Sequence, residues 1–188
     1  GKVNPSGKLA ETIPYHLEDN PSYLNFPGDG QKVEYKEGVF VGYRYYDMKK
    51  MPVRYPFGYG LSYGDVQVEK AEFAKAPEKE QDAEIRVTVK NHSEVATRDV
   101  VEVYIKNQDS KYAPVNPALC GFAKVSLEAG EEKELTITVS KEAYKVVNDE
   151  GEKIFDSSSS VLFVGTNGPD KRSEALTGKV TKQLVINW

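Results

Sequence analysis

Cysteine is nearly absent from this sequence. Cys120 stands alone, so no internal disulfide can staple the fold, and the chain must be held by a packed core or by a partner. Within "PALCGF" no His or Asp lies nearby to activate the thiol, which reads as a small buried hydrophobe. Histidine is almost as scarce. His16 and His92 are the only two, neither has a second His or Cys at ligand spacing, and no metal site is expected. His92, in "KNHSE", reads as a solvated turn residue. Basic runs are missing too, and the formal net charge is -4, which excludes nucleic acid as an expected partner. No apolar run approaches the roughly 18 to 20 residues that cross a bilayer, and the opening "GKVNPSGK" lacks the basic-then-apolar layout of a signal peptide. No membrane association is expected.

Motifs for cofactors and nucleophiles are also lacking. In "GKVNPSGKL" five residues separate Gly1 from Gly7, and Leu9 stands where a phosphate loop needs Ser or Thr for magnesium. "GYGLSYG" places Tyr63 where the dinucleotide fingerprint needs its third glycine. No cofactor is therefore expected. Gly-x-Ser-x-Gly is absent as well. Glycoside cleavage needs two carboxyl groups about 5 to 10 Å apart, and 29 acidic residues supply so many pairs that spacing alone selects none. "EKEQDAE" (Glu78 to Glu84) follows Pro77 and precedes a strand, which suits a solvated loop better than a calcium site. Asn91 to Ser93 matches the glycosylation sequon, a three-residue pattern of little weight by itself.

What is present divides into two parts. Up to about residue 62 the chain is dense in turn-formers, with "NPSGKLAETIPYHLEDNPSYLNFPGDGQ" carrying four prolines and three glycines. Only "KLAETI" (Lys8 to Ile13) alternates like a strand there, and "VEYKEGVFVGYRYYD" (Val33 to Asp47) reads as another extended segment with a turn or bulge at its glycines. Such a part cannot bury both faces of a sheet and must lean on something else. From Gly64 the pattern becomes regular. "EIRVTVK" sets Ile85, Val87 and Val89 against Arg86, Thr88 and Lys90; "DVVEVYIK" sets Val101, Val103 and Ile105 against Glu102 and Tyr104; "KELTITVS" sets Leu135, Ile137 and Val139 against Thr136 and Thr138. With "VQVEKAEFA", "GFAKVSL", "SVLFVG" and "VTKQLVIN" they make seven candidate strands of an antiparallel β-sandwich, with "NQDSKYAPVNPA" (Asn107 to Ala118) as its long loop. No helical run of ten residues is present, and "SKEAYKVVND" (Ser140 to Asp149) could form a turn or two at most.

Taken in register, several stretches resemble glycoside hydrolase family 3, the β-glucosidase family. "NPSGKLAETIP" is similar to the last strand of its α/β sandwich domain. "YKEGVFVGYRYYD" and "YPFGYGLSY" (Tyr55 to Tyr63) are similar to the linker that follows. "VTVKNHSEVATRDVVEVYIK", "LCGFAKVSLEAGEEKELTITVS" and "LFVGTN" are similar to the terminal fibronectin type III-like domain. Ala10 departs from a frequent proline, and His92-Ser93 from Thr-Gly or Ser-Gly. The resemblance implies a mainly β chain divided into residues 1–32, the tail of the α/β sandwich domain; 33–63, the linker; and 64–188, the fibronectin type III-like (immunoglobulin-like) antiparallel β-sandwich.

Members of the family are retaining enzymes whose aspartate nucleophile usually lies in a Ser-Asp-Trp segment. The only tryptophan here is Trp188, preceded by Asn187, and the acid/base glutamate normally precedes the stretch matched by this chain. No catalytic, cofactor-binding or metal-binding residue is therefore assigned. The expected role is non-catalytic support of the barrel and α/β sandwich domains of a parent that hydrolyses terminal β-linked glucosyl or related residues, with oligosaccharide reaching the chain only through that parent. A competing reading makes the twelve tyrosines a carbohydrate-binding or adhesive surface. A receptor-like fibronectin domain is a third. "YPFGYGLSY" then reads as a packed hinge, with Pro56 extending Tyr55, Gly58 and Gly60 allowing bends, and Tyr55, Phe57, Tyr59 and Tyr63 filling a seam.

Overall fold

The alternating segments become strands because each can bury one face. The computed structural model describes residues 2–75 and 77–188, so Gly1, the first glycine of the rejected phosphate-loop pattern, lies outside the described residues. In chain order the elements are β1 (Ile13–Pro14), α1 (Tyr43–Lys49), β2 (Val53–Tyr55), β3 (Val66–Phe73), β4 (Ala83–Asn91), β5 (Thr97–Gln108), β6 (Ala118–Leu127), β7 (Glu132–Val139), β8 (Val146–Val147), β9 (Lys153–Ile154), β10 (Ser159–Gly165), α2 (Lys171–Thr177) and β11 (Lys182–Asn187). Two antiparallel sheets, ordered β3-β4-β7 and β11-β10-β5-β6, face each other as a sandwich. All seven strands expected from the sequence are present.

Between the sheets lie Ile85, Val87 and Val89 from β4, Val101 and Val103 from β5, and Leu162 and Val164 from β10, each with no exposed surface. A fully buried aliphatic side chain contributes about 1.5 to 3 kcal/mol, so this interior carries the stability of the molecule. A second knot closes one end: Trp188 meets Tyr144 and Phe155 edge-on at centroid distances of 4.9 and 5.1 Å. The expected turn at Ser140 to Asp149 is a single 3-10 turn, Lys141–Tyr144. Cys120 is half-buried, packs against the core and donates its thiol to the Val103 carbonyl at 3.3 Å. Burial pushes its pKa up to about 12, so it is the inert hydrophobe its sequence context implied.

The turn at 91–93 shows why the sequon carries little. Asn91 is wholly buried, its amide nitrogen donates to the carbonyls of Val95 and Glu128 at 2.8 Å, and its oxygen accepts from the Ser93 amide. Its side chain therefore brackets the end of β4 to the β4–β5 turn and to the turn after β6. His92 lies outside that bracket, exposed beside the Glu69 carboxylate.

Three expectations need correction. "KLAETI" does not form a six-residue strand; only Ile13 and Pro14 enter a ladder, opposite Tyr55 and Val53. Val33 to Asp47 is not extended either. Residues 36–39 turn, Gly42 adopts a left-handed φ of 59°, and α1 begins at Tyr43. Tertiary contacts override the β preference of tyrosine here, because a helix lets Tyr46 be buried and Tyr43 reach β6. Finally, Glu102 and Tyr104 do not face solvent: both are buried, at 4% and 2% exposure, so the middle of β5 is covered on both faces.

Candidate interdomain seam

The cover over β5 comes from residues 4–63, and its pieces include the glycine- and aromatic-rich "YPFGYGLSY". Residues 4–14 run antiparallel to 53–63. The Leu9 amide donates to the Tyr59 carbonyl at 2.8 Å, the Gly58 amide to the Leu9 carbonyl at 2.9 Å, and the Phe57 amide to the Thr12 hydroxyl at 3.2 Å. Glycine is needed twice along this ribbon. A Cβ on Gly60 would stand 2.9 Å from the Gly7 carbonyl oxygen. Gly58 has a left-handed φ of 77°, and a Cβ there would stand 2.6 Å from a Glu102 carboxylate oxygen.

Polar groups lock the ribbon to the sandwich. Asn4 donates to the Arg98 carbonyl at 2.9 Å and accepts from the Tyr63 amide at 2.7 Å, joining both ribbon strands to the start of β5. Lys8 reaches inward, pairing with Asp99 at 2.7 Å and donating to the Thr166 carbonyl at 2.9 Å, with both charged side chains largely buried. Arg172 of α2 clamps β2 from the other side, donating to the carbonyls of Val53 and Arg54 at 3.0 and 3.1 Å and to the Tyr15 hydroxyl at 3.2 Å. The Asp170 side chain caps α2 by accepting from the Ser173 amide at 2.8 Å.

Aromatic contacts fill the remainder. Phe57 stacks on Tyr43 at 4.8 Å, Tyr43 meets Tyr104 edge-on at 6.4 Å, and the Tyr43 hydroxyl accepts from the Leu119 amide at 3.1 Å. That amide is free because the β5–β6 register shifts at Val103 and Tyr104, leaving Cys120 bulged. The packing expected of these residues is thus met in part. Pro56 and Gly58 are buried and Phe57 and Tyr59 half-buried, whereas Tyr63 is 59% exposed and Tyr55 lies at the rim, stacked on Tyr59.

Two carboxyls stand apart in this seam. Glu102 accepts from the Tyr104 hydroxyl at 2.9 Å beneath Gly58, and burial lifts its pKa to about 7 against the opposing pull of that hydroxyl and of Lys8. Asp47 lines a cleft of about 770 Å³ between α1, Phe57 and α2, and burial, with a smaller push from Asp170, lifts it to about 7 as well. In the cleft the Asp170 oxygens accept from the Ser173 amide and hydroxyl, whereas Glu102 is closed over beneath Gly58. Among the described residues no His, Cys, Asp and Glu cluster suits a metal ion, and no helix is long and apolar enough to cross a membrane. Sequence reasoning missed Glu102, Tyr104, Lys8 and Arg172 as seam residues. Only Lys8 carried a signal, by lying within the motif that the ribbon uses.

A fibronectin type III-like sandwich with a short segment locked across one sheet is what the fold and seam define. A family model described as a fibronectin type III-like domain matches residues 99–168. The thermostable beta-glucosidase B of Acetivibrio thermocellus is 40% identical over 198 residues, covering 100% of this chain and 26% of that protein. An exo-alpha-(1->6)-L-arabinopyranosidase of Bifidobacterium longum is 43% identical over 192 residues, covering 100% of this chain and 25% of that protein. Among solved structures, the Bifidobacterium adolescentis GH3 beta-glucosidase superposes with a TM-score of 0.85 at 37% identity, covering 100% of this chain and 26% of that one. Over its whole length the chain matches one continuous segment of GH3 beta-glucosidases. It spans about a quarter of the length of the relatives it matches.

Proposed function

We propose that this chain is the non-catalytic part of a retaining, β-glucosidase-type family 3 glycoside hydrolase, and that it buttresses the barrel and α/β sandwich domains of its parent. In this reading residues 1–32 end the α/β sandwich domain, 33–63 are the linker, and 64–188 are the supporting sandwich. The observation that carries it is the seam itself. Lys8, Asn4, Tyr43 and Arg172 commit their polar groups to holding residues 4–63 against β5, β6 and α2, as a structural joint requires. The sugar is set elsewhere in the parent: relatives named for a glucosidase and for an arabinopyranosidase match this segment about equally well, at 40% and 43% identity. The carbohydrate-binding alternative loses support because Tyr43 and Phe57, and Tyr55 and Tyr59, stack on each other.

The test compares the isolated chain with its parent. The parent should release p-nitrophenol from the β-glucoside or a related pyranoside, and the isolated chain should release none at any pH. Turnover by the isolated chain that responds to substitution of its own carboxylates would overturn the reading.

A further inference from the structure

The cleft between α1, Phe57 and α2 holds a carboxyl that the seam does not use. Its volume of about 770 Å³ lies in the range of small-molecule sites, about 300 to 1,000 Å³. Pro52, Pro56, Pro117 and Pro169 line it, and their fixed φ angles make the walls stiff. Phe57, with one face on Tyr43, adds an aromatic wall. Within this mostly apolar lining the half-buried Asp47 carboxyl accepts no hydrogen bond and joins no ion pair among the described residues. The nearby cations are engaged elsewhere or stand in water. Arg172 commits its guanidinium to the Val53 and Arg54 carbonyls and the Tyr15 hydroxyl, and Lys50 and Lys171 are exposed. Asp170 adds a second negative charge that pushes against Asp47. A carboxylate drawn out of water without a counter-ion is costly, and either a proton or a cation relieves it. Burial, by pushing the Asp47 pKa up to about 7, supplies the first form of relief. A bound cation would supply the second.

We propose that this cleft binds a small organic cation, an ammonium or guanidinium group on an apolar body, with Asp47 as counter-ion and Phe57 and the prolines around the apolar part. Charge selects this class. An anion would meet Asp47 and Asp170 together, and a neutral ligand would leave the Asp47 carboxylate uncompensated. A bare metal ion would need a cluster of ligating side chains, and none is present among the described residues. A guanidinium suits both kinds of wall, because it is weakly hydrated, pairs with a carboxylate and stacks on an aromatic face. Such a site goes beyond the supporting role proposed above and does not depend on it.

Benzamidine, a planar cation on an aromatic body, and benzamide, its neutral counterpart, are the probes. In an amide NMR titration of the isolated chain, benzamidine should shift Asp47, Phe57 and Asp170 saturably, and benzamide should bind at least about tenfold more weakly. Asp47→Asn should weaken benzamidine by about the same factor and leave benzamide unchanged. Asp47 has no partner to lose, so unchanged shifts in β4 and β10 are expected of the variant, and the comparison of the two probes needs no variant at all. Benzamide binding as tightly as benzamidine, or benzamidine binding undiminished in Asp47→Asn, would overturn the cation site. Calorimetry on the parent polypeptide should show the same preference for benzamidine. Binding by the isolated chain and not by the parent would also overturn it, assigning Asp47 to a basic side chain of the parent. Binding by a parent without glycosidase activity would support the site and count only against the enzymatic reading.

Discussion

The two regions of this molecule achieve order by opposite means. Residues 64–188 make their own interior, with every other side chain of β4, β5 and β10 turned inward and sealed by the facing sheet. Residues 2–63 make almost none: Thr12, Tyr46, Val53, Pro56 and Gly58 are their only buried positions, all five at or beside the contact with the sandwich or α1. The first region is therefore stable because of its own pattern, and the second because of what it touches. A region of the second kind is held by a few specific bonds, and single substitutions should separate the two.

Lys8→Ala offers the largest separation. It leaves the Asp99 carboxylate buried without its cation and removes the bond to Thr166, which typically costs about 3 kcal/mol or more. Hydrogen exchange should report a loss of roughly 100-fold in protection at the amides of Leu9 and Gly58, which bridge the ribbon. Interior amides of β4 and β10 should change far less. A uniform loss across both regions would mean that they unfold as one unit, and the distinction between them would fall.

Acidity should act on the seam next. Glu102 has an ordinary value of 4.5 and a folded value of about 7, so the folded chain keeps a proton that the unfolded chain gives up between those limits. More protons in the folded state mean that stability is full below about pH 4.5 and declines as pH rises to about 7. The groups facing Glu102 are the Tyr104 hydroxyl, Lys8 and Asp99, and Asp47 across the cleft shifts in the same direction. Glu102→Gln keeps an acceptor for Tyr104 and removes the titration. It should match the original chain near pH 4 and exceed it by about 2 to 3 kcal/mol near pH 8, read from urea midpoints. Parallel pH profiles would show that the carboxyl is not held as described.

The same contrast explains what could be read in advance. A two-residue alternation determines which face is buried, so β3 to β7, β10 and β11 were legible from Ile85, Val101, Leu162 and their neighbours alone. Tyr43, Glu102 and Tyr104 were not legible, because nothing in their local pattern says that a ribbon from residues 4–63 will lie over them. "DVVEVYIK" looks like a half-buried strand whether or not its other face is covered. The helix α2 was not legible either: Asp170 caps it and Gly178 ends it at a left-handed φ of 70°, but seven residues are too few for an amphipathic period to emerge.

Phe57→Ala is the finest probe of the comparison, because it removes packing without touching a charge. A fully buried phenylalanine cut to alanine costs about 3 to 5 kcal/mol. Phe57 is half-buried, with Tyr43 stacked on one side at 4.8 Å and the cleft open on the other, so about 1 to 2 kcal/mol is expected in the isolated chain. The loss should appear at Gly58 and Leu9 by hydrogen exchange, below that of Lys8→Ala and at the same amides. A loss of 3 kcal/mol would mean that the ring is gripped as tightly as the sandwich interior. No loss would make "YPFGYGLSY" a connector whose glycines matter and whose aromatic rings do not, leaving Lys8 and Asn4 as the true fastenings of the seam.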